Sequence, residues 1–236
     1  NDSDVDISNA AITVTNAVTK ANADTLNGYT SGTVTLTSIT GSFSDISTVQ
    51  GTSGINISTA DITQELKSTA VSLANANTLN GFTTGQVTLE SVQDTYDNLI
   101  SIDAITSSEV SMAAAAVTVT DTVNNAKVDA LNLDTTGVVT VQDLADTFAE
   151  VKAIDDIADT EVDISAAKIT ITDSTSIANI KAADAMTTGT FVYTSVTDIF
   201  DNLDADQALL SGKTVTITDA ISLAELGTIS TAVGGG

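Results

Sequence analysis

Two kinds of apolar pattern take turns along this chain. Short runs alternate apolar and polar residues: Ala11–Thr15 (AITVT), Thr33–Thr37, Val117–Thr120, Val138–Val141, Ile169–Thr172 and Thr190–Thr194. A period of two with β-branched residues predicts half-buried strands. Between them lie runs at helical spacing. Ala17, Val18, Ala21 and Leu26 predict a short amphipathic helix ending at Asn27-Gly28. Phe43, Ile46 and Val49 mark a second helical face. The chain thus reads as strand, helix, strand, helix throughout.

The alternation is a repeat. Gly32, Gly85, Gly137 and Gly189 close similar Thr/Ser-rich turns at spacings of 53, 52 and 52 residues. Phe43, Tyr96, Phe148 and Phe200 keep the same spacings. Self-similarity at fixed period marks a solenoid or array. Each unit reads as two halves, because Asp121 precedes Asp146 by 25 residues and Asp173 precedes Asp198 by 25. One strand and one helix per coil of that length falls within roughly 20–29 residues, the range of leucine-rich repeats, although the consensus differs. The expected fold is α/β: a right-handed solenoid of strand-helix coils, about 25 residues each and 52 per double coil, with a parallel sheet along one side. The expected organisation is one array over 1–236, with units near 1–54, 55–108, 109–160 and 161–212 and a partial unit 213–236.

Register holds from the first residues. VDIS (Val5–Ser8) recurs as INIS (Ile55–Ser58) and VDIS (Val162–Ser165). The second unit is less regular, since ADITQELKSTAVSL blurs its first strand with about three extra residues. The last unit lacks a VDIS-like segment, as Asp219 follows Asp173 by only 46 residues. The chain begins at Asn1 without Met and reads as processed or as an excerpt of something longer.

Composition narrows the function. The chain is 42% hydrophobic but only 3% aromatic, so its core is thin and aliphatic. Seven lysines and no arginine stand against 31 acids, a net charge of −24. That excludes a cationic nucleic-acid footprint and docking on anionic lipid. No apolar run approaches the roughly 18 residues of a membrane span. With no Cys and no His, a metal site must be all oxygen, which selects Ca²⁺ or Mg²⁺.

Six aspartates recur where strands hand over to helices: Asp121, Asp173 and Asp219 after first strands, Asp94, Asp146 and Asp198 after second strands. Each suits the positive start of the following helix as a cap. Stacked in successive coils, the same carboxylates are candidate Ca²⁺ ligands, although neither the glycine-rich β-roll motif nor the EF-hand pattern is present. The threonine-rich strands read as solvent-facing β-propensity or as an ordered hydroxyl array of the kind that meets ice or sugars. The four recurrent aromatics read as helix-on-sheet packing, and the four glycines as turn residues. No catalytic constellation is present, and the chain is read as a non-enzyme.

The text VDISAAKITITDSTSIANIKAADAMTTG (Val162–Gly189) resembles tandem repeats of very large secreted or cell-surface proteins of bacteria, especially marine and cyanobacterial ones. The cycle covers nearly the whole chain, and its acidic, Cys-free, Thr/Ala/Val-rich composition is similar to that of surface-layer proteins. The resemblance implies an extracellular structural role, as a filament, matrix or surface-layer subunit assembling head to tail. The alternative is a segment of a giant adhesin that grips glycans or surfaces, with Ca²⁺ as its cofactor. The partners implied are further copies or flanking repeats of the same chain.

Overall fold

A computed structural model describes residues 6–65, 69–106 and 108–234. Val5 of the first VDIS, Leu66–Ser68 within the irregular stretch, and Gly235 and Gly236 lie outside the described residues. The fold is α/β, with helices alternating with parallel strands; among the described residues no sheet closes on itself. The chain divides into two compact units, 1–119 with 131–139, and 120–130 with 140–236.

The first unit runs β1 (Ile12–Val14), α1 (Lys20–Tyr29), β2 (Val34–Leu36), β3 (Ser38–Gly41), α2 (Phe43–Gly51), β4 (Ile55–Asn56), β5 (Asp61–Gln64), α3 (Leu73–Asn80), β6 (Val87–Leu89), β7 (Ser91–Asp94), α4 (Tyr96–Asp103) and β8 (Val110–Ser111). Next come β9 (Ala116–Val123), α5 (Asn125–Asp134) and β10 (Val139–Asp146), each with residues in both units. The second unit continues with α6 (Phe148–Asp155), β11 (Val162–Asp163), β12 (Lys168–Ile171), α7 (Ile177–Ala185), β13 (Phe191–Tyr193), β14 (Ser195–Asp198), α8 (Phe200–Ala205), a 3₁₀ turn (Gln207–Leu209), β15 (Thr214–Ile217) and α9 (Leu223–Val233).

Within the first unit, Ile12 pairs with Val34, Val34 with Ile55, Ser38 with Asp61, Ile62 with Val87, Val87 with Val110 and Ser91 with Ala116, all in parallel. These partners stand 21 to 25 residues apart in the chain, as half of a 52-residue repeat requires. In the second unit the same logic pairs Asp143 with Lys168, Ile169 with Phe191 and Ser195 with Thr214. The VDIS-like segments are two-residue strands: β4 lies on β2 and β8 on β6.

Strand alternation sets the core. Val34 and Leu36 are wholly buried while Thr35 between them is half-buried; Ile62, Val87, Val117 and Ile169 repeat the pattern. Helices bury residues at spacings of three: Ile46 and Val49 of α2, Leu99 and Ile102 of α4, Val151 and Ile154 of α6, Ile177, Ile180 and Ala183 of α7. Each buried Val, Leu or Ile contributes about 1.5–3 kcal/mol. Ser42, Ser72, Thr147, Ser176 and Ser222 each cap a helix by accepting the N–H three residues on.

Three sequence expectations change. Val18 belongs to no helix; it bridges to Ile39, and α1 begins at Lys20 and runs through Gly28 to Tyr29. The blurred first strand of the second unit exists as β5, because Ile62 and Gln64 fill its two inward positions, the buried Gln64 amide being satisfied by Glu65 O and Ser91 N–H. The recurrent aromatics are not core. Phe43, Tyr96, Phe148 and Phe200 each open a helix and are half-buried, while the residues three positions on take the core.

Candidate functional site

The recurrent features converge on joints between successive coils. The first is built on the aspartates. Asp94 Oδ2 accepts the N–H of Leu73, the first residue of α3, at 3.0 Å, while Oδ1 accepts Thr95 N–H and the Asn98 amide. Asp198 does the same for Ile177 of α7, with Ile199 N–H and the Asn202 amide on its other oxygen. Asp146 accepts from Asn125, which opens α5, and from Thr147. The first-strand aspartates follow suit: Asp173 accepts Phe148 N–H at 2.9 Å, and Asp219 accepts Phe200 N–H at 2.8 Å. Asp121 is half-buried within β9.

The capping expected from sequence is therefore directed backwards. A carboxylate at the end of one strand finishes the helix of the coil before it, 19 to 25 residues upstream. Ladder register explains this, since it lays each strand end beside the start of the preceding helix. The N–H groups there are orphan donors at the positive end of the helix dipole. Burial pushes the Asp94 and Asp198 pKa values up, but the Asn98 or Asn202 amide and two backbone N–H groups outweigh it and hold both below the ordinary value of 3.8.

The second joint is the threonine–glycine turn. Thr30, Thr83, Thr135 and Thr187 donate their hydroxyls to the carbonyls of Ala10, Ala60, Ala115 and Ala167 at 2.6–2.7 Å. Each hydroxyl oxygen accepts the N–H of the glycine two residues on. A Cβ on Gly32, Gly85, Gly137 or Gly189 would stand 2.1–2.4 Å from the same alanine carbonyls. None of the four has a positive φ. These glycines serve close approach of two coils, not turn conformation. A signal was present in the sequence: a small residue, Ala10, Ala60, Ala115 or Ala167, precedes the first strand of each of the four units that carry such a glycine, whereas Lys213 precedes that of the last.

Surface chemistry follows the ladders. In the first unit Thr40, Thr63, Thr88 and Ser111 lie in one register row, all half-buried on the outward side of their strands. The ion pairs Lys168–Asp143 and Lys181–Asp206 link residues 25 apart. Among the described residues no group of three or more His, Cys, Asp or Glu is arranged to hold a metal ion, and no helix is long and apolar enough to cross a membrane.

Taken together, fold and joints define an α/β protein of parallel, repeat-registered strands whose recurrent polar residues join one coil to the next. No family model, curated protein or solved structure matches the chain.

Proposed function

We propose that this chain is an extracellular structural protein, a right-handed solenoid of strand-helix coils that assembles head to tail into a filament, matrix or cell-surface layer. The reading rests on the backward cap. The starts of α3, α5, α6, α7 and α8 each take a carboxylate from the coil that follows, so a following coil finishes the helix before it. A contact of this heterologous kind that does not close produces a fibre. A net charge of −24 keeps single chains apart until such a contact forms. The test is negative-stain imaging of the purified chain with and without millimolar Ca²⁺. Filaments are expected. Dispersed monomers in both conditions would overturn self-assembly, and filaments only with Ca²⁺ would return the aspartates to the metal-ligand role.

A second reading is a segment of a giant adhesin. The register row Thr40–Thr63–Thr88–Ser111 favours it, because hydroxyls repeat at the strand spacing of about 4.8 Å along one sheet. Glycan-array binding that is lost in a Thr63→Val, Thr88→Val double variant is the expected outcome under this reading.

A further inference from the structure

Inner first strands are paired on both sides: β5 lies between β3 and β6, and β12 between β10 and β13. Among the described residues β1 pairs only β2, and β15 pairs only β14. The two open edges are opposite sides of one kind of strand. Thr214 and Thr218 donate their N–H groups to Thr194 O and Asp198 O, on the β14 side. Val215 and Ile217 therefore turn theirs the other way, where they meet no backbone acceptor among the described residues. Ile12 donates its N–H to Thr33 O, on the β2 side, so Ala11 and Thr13 turn theirs away from β2.

The apolar layer is bare at the same two places. Ile62, Val117 and Ile169 are wholly buried, whereas their equivalents Ile12 and Val215 are only half-buried, as are Val14 and Ile217. The helix that follows β15 is bare as well. Ile177 and Ile180 of α7 are 3% and 1% exposed. Leu223 and Leu226 stand at the same points of α9 and are 86% and 49% exposed.

Capping says what kind of coil fits there. The start of α7 takes Asp198 from the coil that follows it. The start of α9 is closed by its own residues: Ser222 Oγ accepts Glu225 N–H at 3.3 Å, and Glu225 Oε2 accepts Ser222 N–H at 2.6 Å. A following coil that brought an aspartate would set a second negative charge beside Glu225. The first coil of this chain brings none. Asn16 stands where Asp173 and Asp219 stand, and Gly41 where Asp94, Asp146 and Asp198 stand.

We propose that the open edge of β15 receives β1 of a second copy of this chain as a parallel strand, with α1 of that copy laid over Leu223 and Leu226 of α9. Alternation sets the register, because inward residues must stay inward: Ile12 lies beside Val215, Thr13 beside Thr216 and Val14 beside Ile217. The N–H groups of Val215 and Ile217 then find the carbonyls of the incoming strand, as in strand addition at any exposed edge. Each added copy carries its own open β15, so the contact repeats. This rests on the head-to-tail reading and names the surfaces that meet.

The test is sedimentation velocity of the full chain over a concentration series, at an ionic strength of about 0.15 M, where charge is screened beyond about 8 Å. Wild type is expected to form oligomers that lengthen with concentration. Leu223→Asp, at an exposed position of the single chain, is expected to weaken association at least about tenfold. Cross-linking reads the register. The chain has no cysteine of its own. Facing residues of paired strands stand about 4.8 Å apart, within the roughly 4.4–6.8 Å that a disulfide spans. A Thr13→Cys, Thr216→Cys double variant should give a ladder of covalent multimers on oxidation, and neither single variant should. Oligomers that ignore Leu223→Asp or yield no ladder would overturn this joint and leave head-to-tail assembly standing. Dimers cross-linked through Thr216→Cys alone would overturn it in favour of tail-to-tail pairing. A wild-type chain that stays monomeric throughout would overturn both the joint and head-to-tail assembly.

Discussion

Helices α7 and α1 begin at equivalent points of the repeat and are finished differently. The start of α7 meets Asp198 from the next coil, which takes the N–H of Ile177. The start of α1 meets Gly41, three periods upstream of Asp198, and its flanking residue Thr19 makes no side-chain cap. In place of a carboxylate there is a cavity of about 350 Å³ lined by Thr19, Lys20, Asp24, Gly41, Asp45 and Glu65, among others. Yet α1 is ten residues long and α7 nine. The cap is therefore an increment. Packing decides whether the helix forms: Ala23 of α1 and Ala183 of α7 are both wholly buried.

The largest break should strike both helices alike, because both are followed by the same turn. Gly32→Ala and Gly189→Ala each drive a Cβ to 2.3 Å from a backbone carbonyl. Each is expected to cost about 3 kcal/mol or more. Urea denaturation measures it, and a loss under about 1 kcal/mol at either site would show that the coils can separate locally. Gly28→Ala, where a Cβ meets nothing within 4 Å, is the internal control and should stabilise by about 0.5–1 kcal/mol.

Asp198→Ala comes next. It leaves two backbone N–H groups and the Asn202 amide without their acceptor, at an expected cost of about 1–2 kcal/mol. A neutral outcome would mean that water replaces the carboxylate freely.

Acid should then erase that difference. The folded pKa of Asp198 lies below its ordinary 3.8, so its contribution is present above that value and is lost as pH falls further through the folded pKa. The stability gap between wild type and Asp198→Ala should shrink below pH 3.8. Asp134 and Asp155 act with the opposite sign. Burial raises both, with Asp103 adding to it at Asp134, so they cost stability at neutral pH and that cost is relieved as pH falls through their folded values toward 3.8. A gap that stays constant to pH 2.5, about one unit below the ordinary carboxylate range, would contradict the cap.

The smallest effect is the converse substitution. Gly41→Asp offers α1 a carboxylate, but Asp24, Asp45 and Glu65 line the same cavity. Dipole gain is offset by like-charge repulsion, and Gly41 holds a φ of +158° that a side chain disfavours, so the change should destabilise by about 1 kcal/mol in thermal melting.

Much of this was legible in the sequence. The 52-residue spacing of Gly32, Gly85, Gly137 and Gly189 anticipated ladder partners 19 to 25 residues apart. Alternation in VTL and ITI anticipated which strand residues are buried. What escaped depended on what lies beside a residue rather than before or after it. The aspartates read as caps for the following helix, and register turned them to the preceding one. The glycines read as turns, because a carbonyl 2.1 Å from an absent Cβ leaves no local trace. Phe43 and its equivalents read as core, because helical spacing does not say that the first residue of a helix sits at its rim.

One consequence of the backward cap concerns inheritance. The capped helices depend on groups 19 to 25 residues downstream, and the second-strand set, Asp94, Asp146 and Asp198, recurs every 52 residues. Unequal recombination between two equivalent points inserts or deletes a whole double coil and leaves every remaining donor facing an acceptor of the same kind. Such a gene can change the length of its product in one step without passing through an ill-fitting intermediate.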